Sequence, residues 1–176
     1  AEGNITLIAG GGSLILDTVK AGSGSITLTS NGDISANLII ATNGDLSISA
    51  NGGYITVGEI SAVDGTITLI AEGSISGKED KDYKLRAKNI YATSEEGDIH
   101  AHSYIATGDI HLEALSGDIY IGTINAQIKD KSYEGDISLE AKYLITDINT
   151  QPLLAKNISL IVSDRQVGAL ENYLNV

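Results

Sequence analysis

Apolar and polar residues alternate strictly in short stretches of this chain. In the first stretch, Ile5, Leu7 and Ala9 alternate with Asn4 and Thr6. A period of two is that of a β-strand, whose successive side chains point to opposite faces of a sheet. The alternation therefore predicts strands whose aliphatic residues turn inward and whose small polar residues turn outward.

The same stretch returns at a nearly constant spacing. Its opening glycines are 21, 20 and 21 residues apart at Gly3, Gly24, Gly44 and Gly65, and the phrase returns at Gly108 and Gly135. Two shorter apolar segments follow within a period, as in Gly32-Asp-Ile34 and Leu38-Ile-Ile-Ala41. A fixed period of about 21 residues indicates a solenoid. We predict an all-β, right-handed parallel β-helix with three short strands per coil and about eight coils.

Glycines follow Asn or Asp between these strands. The pairs are Asn31-Gly32, Asn43-Gly44, Asn51-Gly52 and Asp64-Gly65. Tight corners often need a positive φ, which glycine adopts at little cost. The sequence therefore predicts that these glycines supply positive φ at the corners of the coil.

Three segments depart from the repeat. Lys78 to Arg86 and Gln127 to Glu134 are rich in charged and polar residues, and we predict loop insertions near 78–86 and 127–134. Ser163 to Val176 no longer follows the phrase. The predicted organisation is a solenoid over residues 1–162, followed by a cap or inter-subunit segment over 163–176.

Composition narrows the range of partners. The chain has 23 acidic against 11 basic residues and a net charge of −12, which opposes binding to nucleic acid or anionic lipid. Its apolar runs are too short to cross a bilayer, so no membrane insertion is predicted. It contains no Cys, Met, Phe or Trp, which excludes disulfides and leaves an aliphatic core.

Aspartate is the main candidate for metal binding. Phrases of the form Gly-Asp-hydrophobic contain Asp33, Asp45, Asp98, Asp109, Asp118 and Asp136. Their predicted role is hydrogen bonding to the turn backbone. Stacked carboxylates about 5 Å apart would repel each other, and calcium would relieve that repulsion. The candidates for a weak calcium site are Asp98, Asp109 and Asp118, and no other cofactor is predicted.

Neither the histidines nor the carboxylates form an evident catalytic set. His100 and His102 are predicted to lie on one outward strand face, and His111 follows in a later strand. No acid–base partner accompanies them, and the carboxylates are scattered, whereas sugar cleavage needs two positioned carboxyl groups. We predict no catalytic residue and no enzymatic activity.

The repeated phrase Gly-Asp/Ser-Ile-Ser/Thr-Leu-x-Ala, with its Asn-Gly corners, resembles the repeats of filamentous-haemagglutinin-like exoproteins. These are large bacterial adhesins exported by two-partner secretion. The resemblance extends from Gly3 to Leu160. It implies a parallel β-helix on the bacterial cell surface or outside the cell, with a receptor or glycan as partner.

Two functions follow from these observations. The chain is either an adhesive rod, a module of a longer surface adhesin, or a filament subunit that stacks head to tail, as in an extracellular fibre or a bactofilin-like scaffold. Stacking would use apolar residues at the two ends of the rod. The candidates for self-association are Ile5, Leu7, Leu14, Leu170, Tyr173, Leu174 and Val176.

Overall fold

The chain is built from β-strands. The computed structural model describes residues 1–78, 83–126, 134–148 and 153–164, without the side chain of Asp147. Among these residues there is no helix, and hence none long and apolar enough to cross a membrane. The fourteen strands are β1 (Ile5–Ala9), β2 (Leu14–Ala21), β3 (Ile26–Ser30), β4 (Ile34–Ala41), β5 (Leu46–Ala50), β6 (Ile55–Ala71), β7 (Ile75–Gly77), β8 (Lys84–Ser94), β9 (Ile99–Ala106), β10 (Ile110–Ala114), β11 (Ile119–Ala126), β12 (Ile137–Ala141), β13 (Ile145–Asp147) and β14 (Ile158–Val162).

All strand pairs are parallel and join one coil to the next, which confirms the predicted β-solenoid. Each coil has three faces. In the first coil they are formed by residues 5–9, 14–16 and 18–21, and the strands of later coils stack on these to extend the first, second and third face respectively. The described strands stack eight high on the first face, from β1 to β14, and seven high on the second, from β2 to β13. The described residues therefore form a β-solenoid of about seven turns, close to the predicted eight coils.

The core is a set of aliphatic columns. On the first face Ile26, Leu46, Ile67 and Ile90 lie in register in consecutive coils, and all are buried. The inward and outward alternation predicted from the sequence is thus confirmed. Each such side chain contributes about 1.5–3 kcal/mol on burial, before conformational entropy is subtracted.

The corner glycines are needed for a different reason from the one predicted. None of the described glycines has a positive φ. Instead, a Cβ added at Gly44 would lie 2.5 Å from the carbonyl carbon and oxygen of Gly24 in the coil below. A Cβ at Gly24 would likewise lie 2.5 Å from the carbonyl carbon of Gly3. Glycine recurs there because stacked corners bring backbone against backbone, which leaves no room for a side chain.

The first predicted insertion is shorter than 78–86. Strand β8 begins at Lys84, and residues Lys84–Ala87 pair with Glu59–Ala62 of β6, so the end of the predicted loop is part of the third face. Tyr83 just before it is buried. Alternation of Tyr83, Leu85 and Ala87 is the strand pattern that the loop prediction overlooked.

The other two predicted boundaries lie partly outside the described residues. Of the second insertion, over 127–134, only Glu134 is described. At the C-terminal end, Ser163 and Asp164 still donate backbone hydrogen bonds to Ala141 and Lys142 in the coil below. The solenoid stacking therefore continues two residues beyond the predicted boundary at 162.

Candidate functional site

Short polar side chains at one corner link each coil to the next. Asp45 Oδ1 accepts the backbone N–H of Thr66 at 2.8 Å, and Asn89 Oδ1 accepts that of Asp109 at 3.0 Å. Asp109 in turn accepts the backbone N–H of Asp136 at 2.9 Å. We call this column the first ladder; its members are Asn4, Ser25, Asp45, Thr66, Asn89, Asp109, Asp136 and Asn157.

A second ladder runs up the corner that leads into the second face. Asp33 Oδ1 accepts the backbone N–H of Tyr54, and Asp98 Oδ1 accepts that of Asp118, both at 2.9 Å. Asp118 and Asp136 accept from side chains. Backbone N–H groups are accepted, as predicted but with one refinement, by the other four of the six aspartates, Asp33, Asp45, Asp98 and Asp109. The carboxylate oxygens of these four accept N–H groups from the backbone of the neighbouring coil and not from their own turn. These hydrogen bonds therefore stabilise the stacking of coils.

The three calcium candidates do not form one group. Asp98 and Asp118 are neighbours in the second ladder, whereas Asp109 lies in the first ladder. Among the residues that the structure describes, no three His, Asp or Glu side chains are grouped closely enough to hold a metal ion. A calcium site of all three aspartates is therefore excluded by their positions, and the pair Asp98 and Asp118 stays a prediction.

Tyr120 extends the Asp98 and Asp118 pair onto the second face. Its hydroxyl donates to Asp118 Oδ2 at 3.3 Å, while the other oxygen, Oδ1, is buried without a hydrogen-bond partner among the described residues. Desolvation raises the pKa of Tyr120, and the negative charges of Asp118 and Asp98 raise it further. The hydroxyl is thus held protonated beside the two carboxylates.

The three histidines lie at different places in the solenoid, and two of them contact tyrosine rings. His100 stacks on Tyr120 with ring centroids 4.6 Å apart and planes at 13°. His102 lies 6.2 Å from the ring of Tyr83, at 48°. His111 belongs to the first face, where it is in register with a tyrosine and a serine of the adjacent strands. His100 and His102 thus pack against tyrosine rings of neighbouring coils.

Sequence reasoning missed a tyrosine pair inside the third face. Tyr83 and Tyr104 are both buried, and their hydroxyl oxygens are 3.3 Å apart. Burial raises the pKa of each hydroxyl. The signal was available, because Tyr104 falls in the inward column between Leu85 and Ile124.

The first coil has one unpaired side. Among the described residues, β1 pairs only with β3 and β2 only with β4. Ile5, Leu7 and Leu14 are consequently only half-buried, although they occupy core columns. The C-terminal candidates for self-association, Leu170, Tyr173, Leu174 and Val176, lie outside the described residues.

Comparison with known proteins adds no name to this geometry. No protein-family model matches the chain, and neither a curated protein nor a solved structure matches it. Polar side chains of the two ladders bind the next coil, and the described residues contain no metal-binding group of three.

Proposed function

We propose that this chain is a structural and adhesive rod, the non-catalytic shaft module of an extracellular surface adhesin like those its repeats resemble. The observation that supports the proposal most is the pair of ladders. At the corners, short polar residues that recur from coil to coil are engaged in stacking. Such positions maintain a rigid shaft and leave its faces for contact with a partner.

Electron microscopy of negatively stained protein tests the rod. The eight strands stacked on the first face are separated by seven intervals of about 4.8 Å, which give a rod roughly 35 Å long. The proposal requires separate particles of that length. Beads coated with the purified chain should also attach to cultured cells more than beads coated with heat-unfolded chain. Equal attachment of both kinds of bead would contradict the adhesive role.

A filament subunit is the second candidate, and the unpaired side of the first coil favours it. Ile5 and Leu7 are half-buried, whereas Ile26 and Leu28, their partners in the next coil, are fully buried. A strand with an unpaired side is a template for strand addition, which would bury both residues. Head-to-tail addition does not close on itself and generates a fibre. A preceding coil in a longer chain would cover the same residues.

Sedimentation separates the two candidates. If the chain stacks, the unmodified protein forms large species at high concentration, and replacing both Ile5 and Leu7 with Lys abolishes them. Ile8→Lys is a control, because this residue is 70% exposed and points away from the core. A strictly monomeric unmodified protein would eliminate the filament and favour the shaft.

A further inference from the structure

Positive charge is concentrated on one strand of this acidic rod. Lys84, Arg86 and Lys88 occupy alternate positions at the start of β8, and all three are exposed, while Leu85 and Ala87 between them are buried. Alternate residues of a strand are about 6.6–7 Å apart. Lys84 and Arg86 therefore lie on the third face and Lys88 at its adjoining corner, and we call these three cations the cationic row.

The immediate surroundings leave most of this charge uncompensated. Glu59 is in register with Lys84, but Arg86 lies between Ser61 and Ile105 of the adjacent strands. No ion pair joins Lys84, Arg86 or Lys88 to another described residue. The row can therefore offer its guanidinium and ammonium groups to an external anion.

Acidic residues are placed elsewhere on the rod. Asp45, Asp109 and Asp136 stand in the first ladder, and Asp98 and Asp118 in the second. Across the outward positions of the third face, from residue 18 to residue 125, Glu59 is the only described acid, and Asp64 lies in the adjoining corner opposite Lys88. The described outward residues of the third face thus carry a net positive charge, whereas the chain as a whole has a net charge of −12.

We propose that the cationic row binds a carboxylated polysaccharide, an inference that rests on the adhesive function proposed above and names its partner class. A linear chain with carboxylates at intervals can lie along the row, and an Arg guanidinium pairs with a carboxylate through two parallel hydrogen bonds. Ile105 and Ile40 are half-buried on the same face and offer apolar surface to the C–H faces of sugar rings. The net negative charge of the rod opposes any polyanion, so single-stranded DNA is included in the test as a competing polyanion.

Binding to immobilised polygalacturonate at low ionic strength tests the proposal. The unmodified chain should bind, and its affinity should fall as salt is added. Lys84→Gln combined with Arg86→Gln should weaken binding about tenfold, from the loss of two charge contacts. The matched control, Lys142→Gln combined with Lys156→Gln, makes the same change in net charge elsewhere and should bind within about twofold of the unmodified chain.

Three results would overturn the inference: no binding by the unmodified chain, equal weakening in both double variants, or tighter binding to single-stranded DNA than to polygalacturonate. All four substituted side chains are exposed or half-buried, and unchanged melting curves would show that each variant is folded. Loss of cell attachment by coated beads would refute the adhesive function. Attachment without polygalacturonate binding would refute only the ligand proposed here.

Discussion

The hydroxyl oxygen of Tyr83 lies 3.3 Å from that of Tyr104 inside the solenoid, where the two rings meet edge to face with centroids 5.8 Å apart. Hydrogen bonding by the His102 backbone lowers the pKa of Tyr83, whereas the only hydrogen bond that acts on the pKa of Tyr104 is that of Tyr83. The two hydroxyls are therefore not equivalent. Without Tyr83, the Tyr104 hydroxyl has lost its hydrogen-bond partner, whereas without Tyr104 the Tyr83 hydroxyl keeps the His102 backbone.

We expect Tyr83→Phe to cost more stability than Tyr104→Phe. The first change strands the buried Tyr104 hydroxyl and should lower the free energy of unfolding by about 1–3 kcal/mol. The second leaves Tyr83 bonded to His102 and should cost about 0.5–1.5 kcal/mol. Urea unfolding measures both, with the exposed Tyr54→Phe as control. A larger loss for Tyr104→Phe would contradict this arrangement.

The same pair predicts a loss of stability at alkaline pH. Burial raises the pKa of Tyr83 and Tyr104 above the ordinary 10.0, so above pH 10 the unfolded chain binds fewer protons than the folded chain. Their contribution is therefore complete below pH 10 and declines as pH rises toward the folded pKa. The slope is about 1.4 kcal/mol per pH unit for each tyrosine.

Urea unfolding at pH 9 and at pH 11 measures this decline. The double variant Tyr83→Phe with Tyr104→Phe should lose less stability between these pH values than the unmodified chain does. An equal loss in both proteins would show that other groups cause the alkaline destabilisation.

Adjacent positions on one strand should respond oppositely to a new charge. Leu69 is buried between Ile48 and Ala92 of the neighbouring coils, whereas Ile70 is 41% exposed. Leu69→Asp should lower the free energy of unfolding by more than about 4 kcal/mol, because its carboxylate has no partner in the core. Ile70→Asp should change it by less than about 0.5 kcal/mol. Circular dichroism melting compares them, and an unchanged midpoint for Leu69→Asp would refute the inward assignment.

The second ladder can be tested at Asp98. Asp98→Ala removes the acceptor for the backbone N–H of Asp118 and should cost about 1–3 kcal/mol. Asp98→Asn keeps an acceptor oxygen and removes one of two stacked charges, so its melting temperature should equal or exceed that of the unmodified chain. A calcium-specific rise in melting temperature that Asp98→Asn abolishes would instead support a calcium site at Asp98 and Asp118.

Much of the fold could be predicted because strand alternation is a local property. Ile26 and Leu28 turn inward and Thr27 outward whatever lies above them, since successive side chains of a strand point to opposite faces. The 21-residue period also indicates stacking without any knowledge of the contacts. The hydrogen-bonding role of Asp33 and its counterparts followed from the same repeated phrase.

By itself, then, the sequence determined the strands, the inward columns and the solenoid. Only the tertiary structure decided which residues meet. Ser74 and Asp98 are hydrogen-bonded neighbours 24 residues apart, Asp109 and Asp136 are 27 apart, and Asp98 and Asp118 are 20 apart. Because coils differ in the number of residues they contain, spacing along the chain could not show which residue of the next coil each side chain contacts. Nor could it show that stacked backbones, and not positive φ, require glycine at the corners.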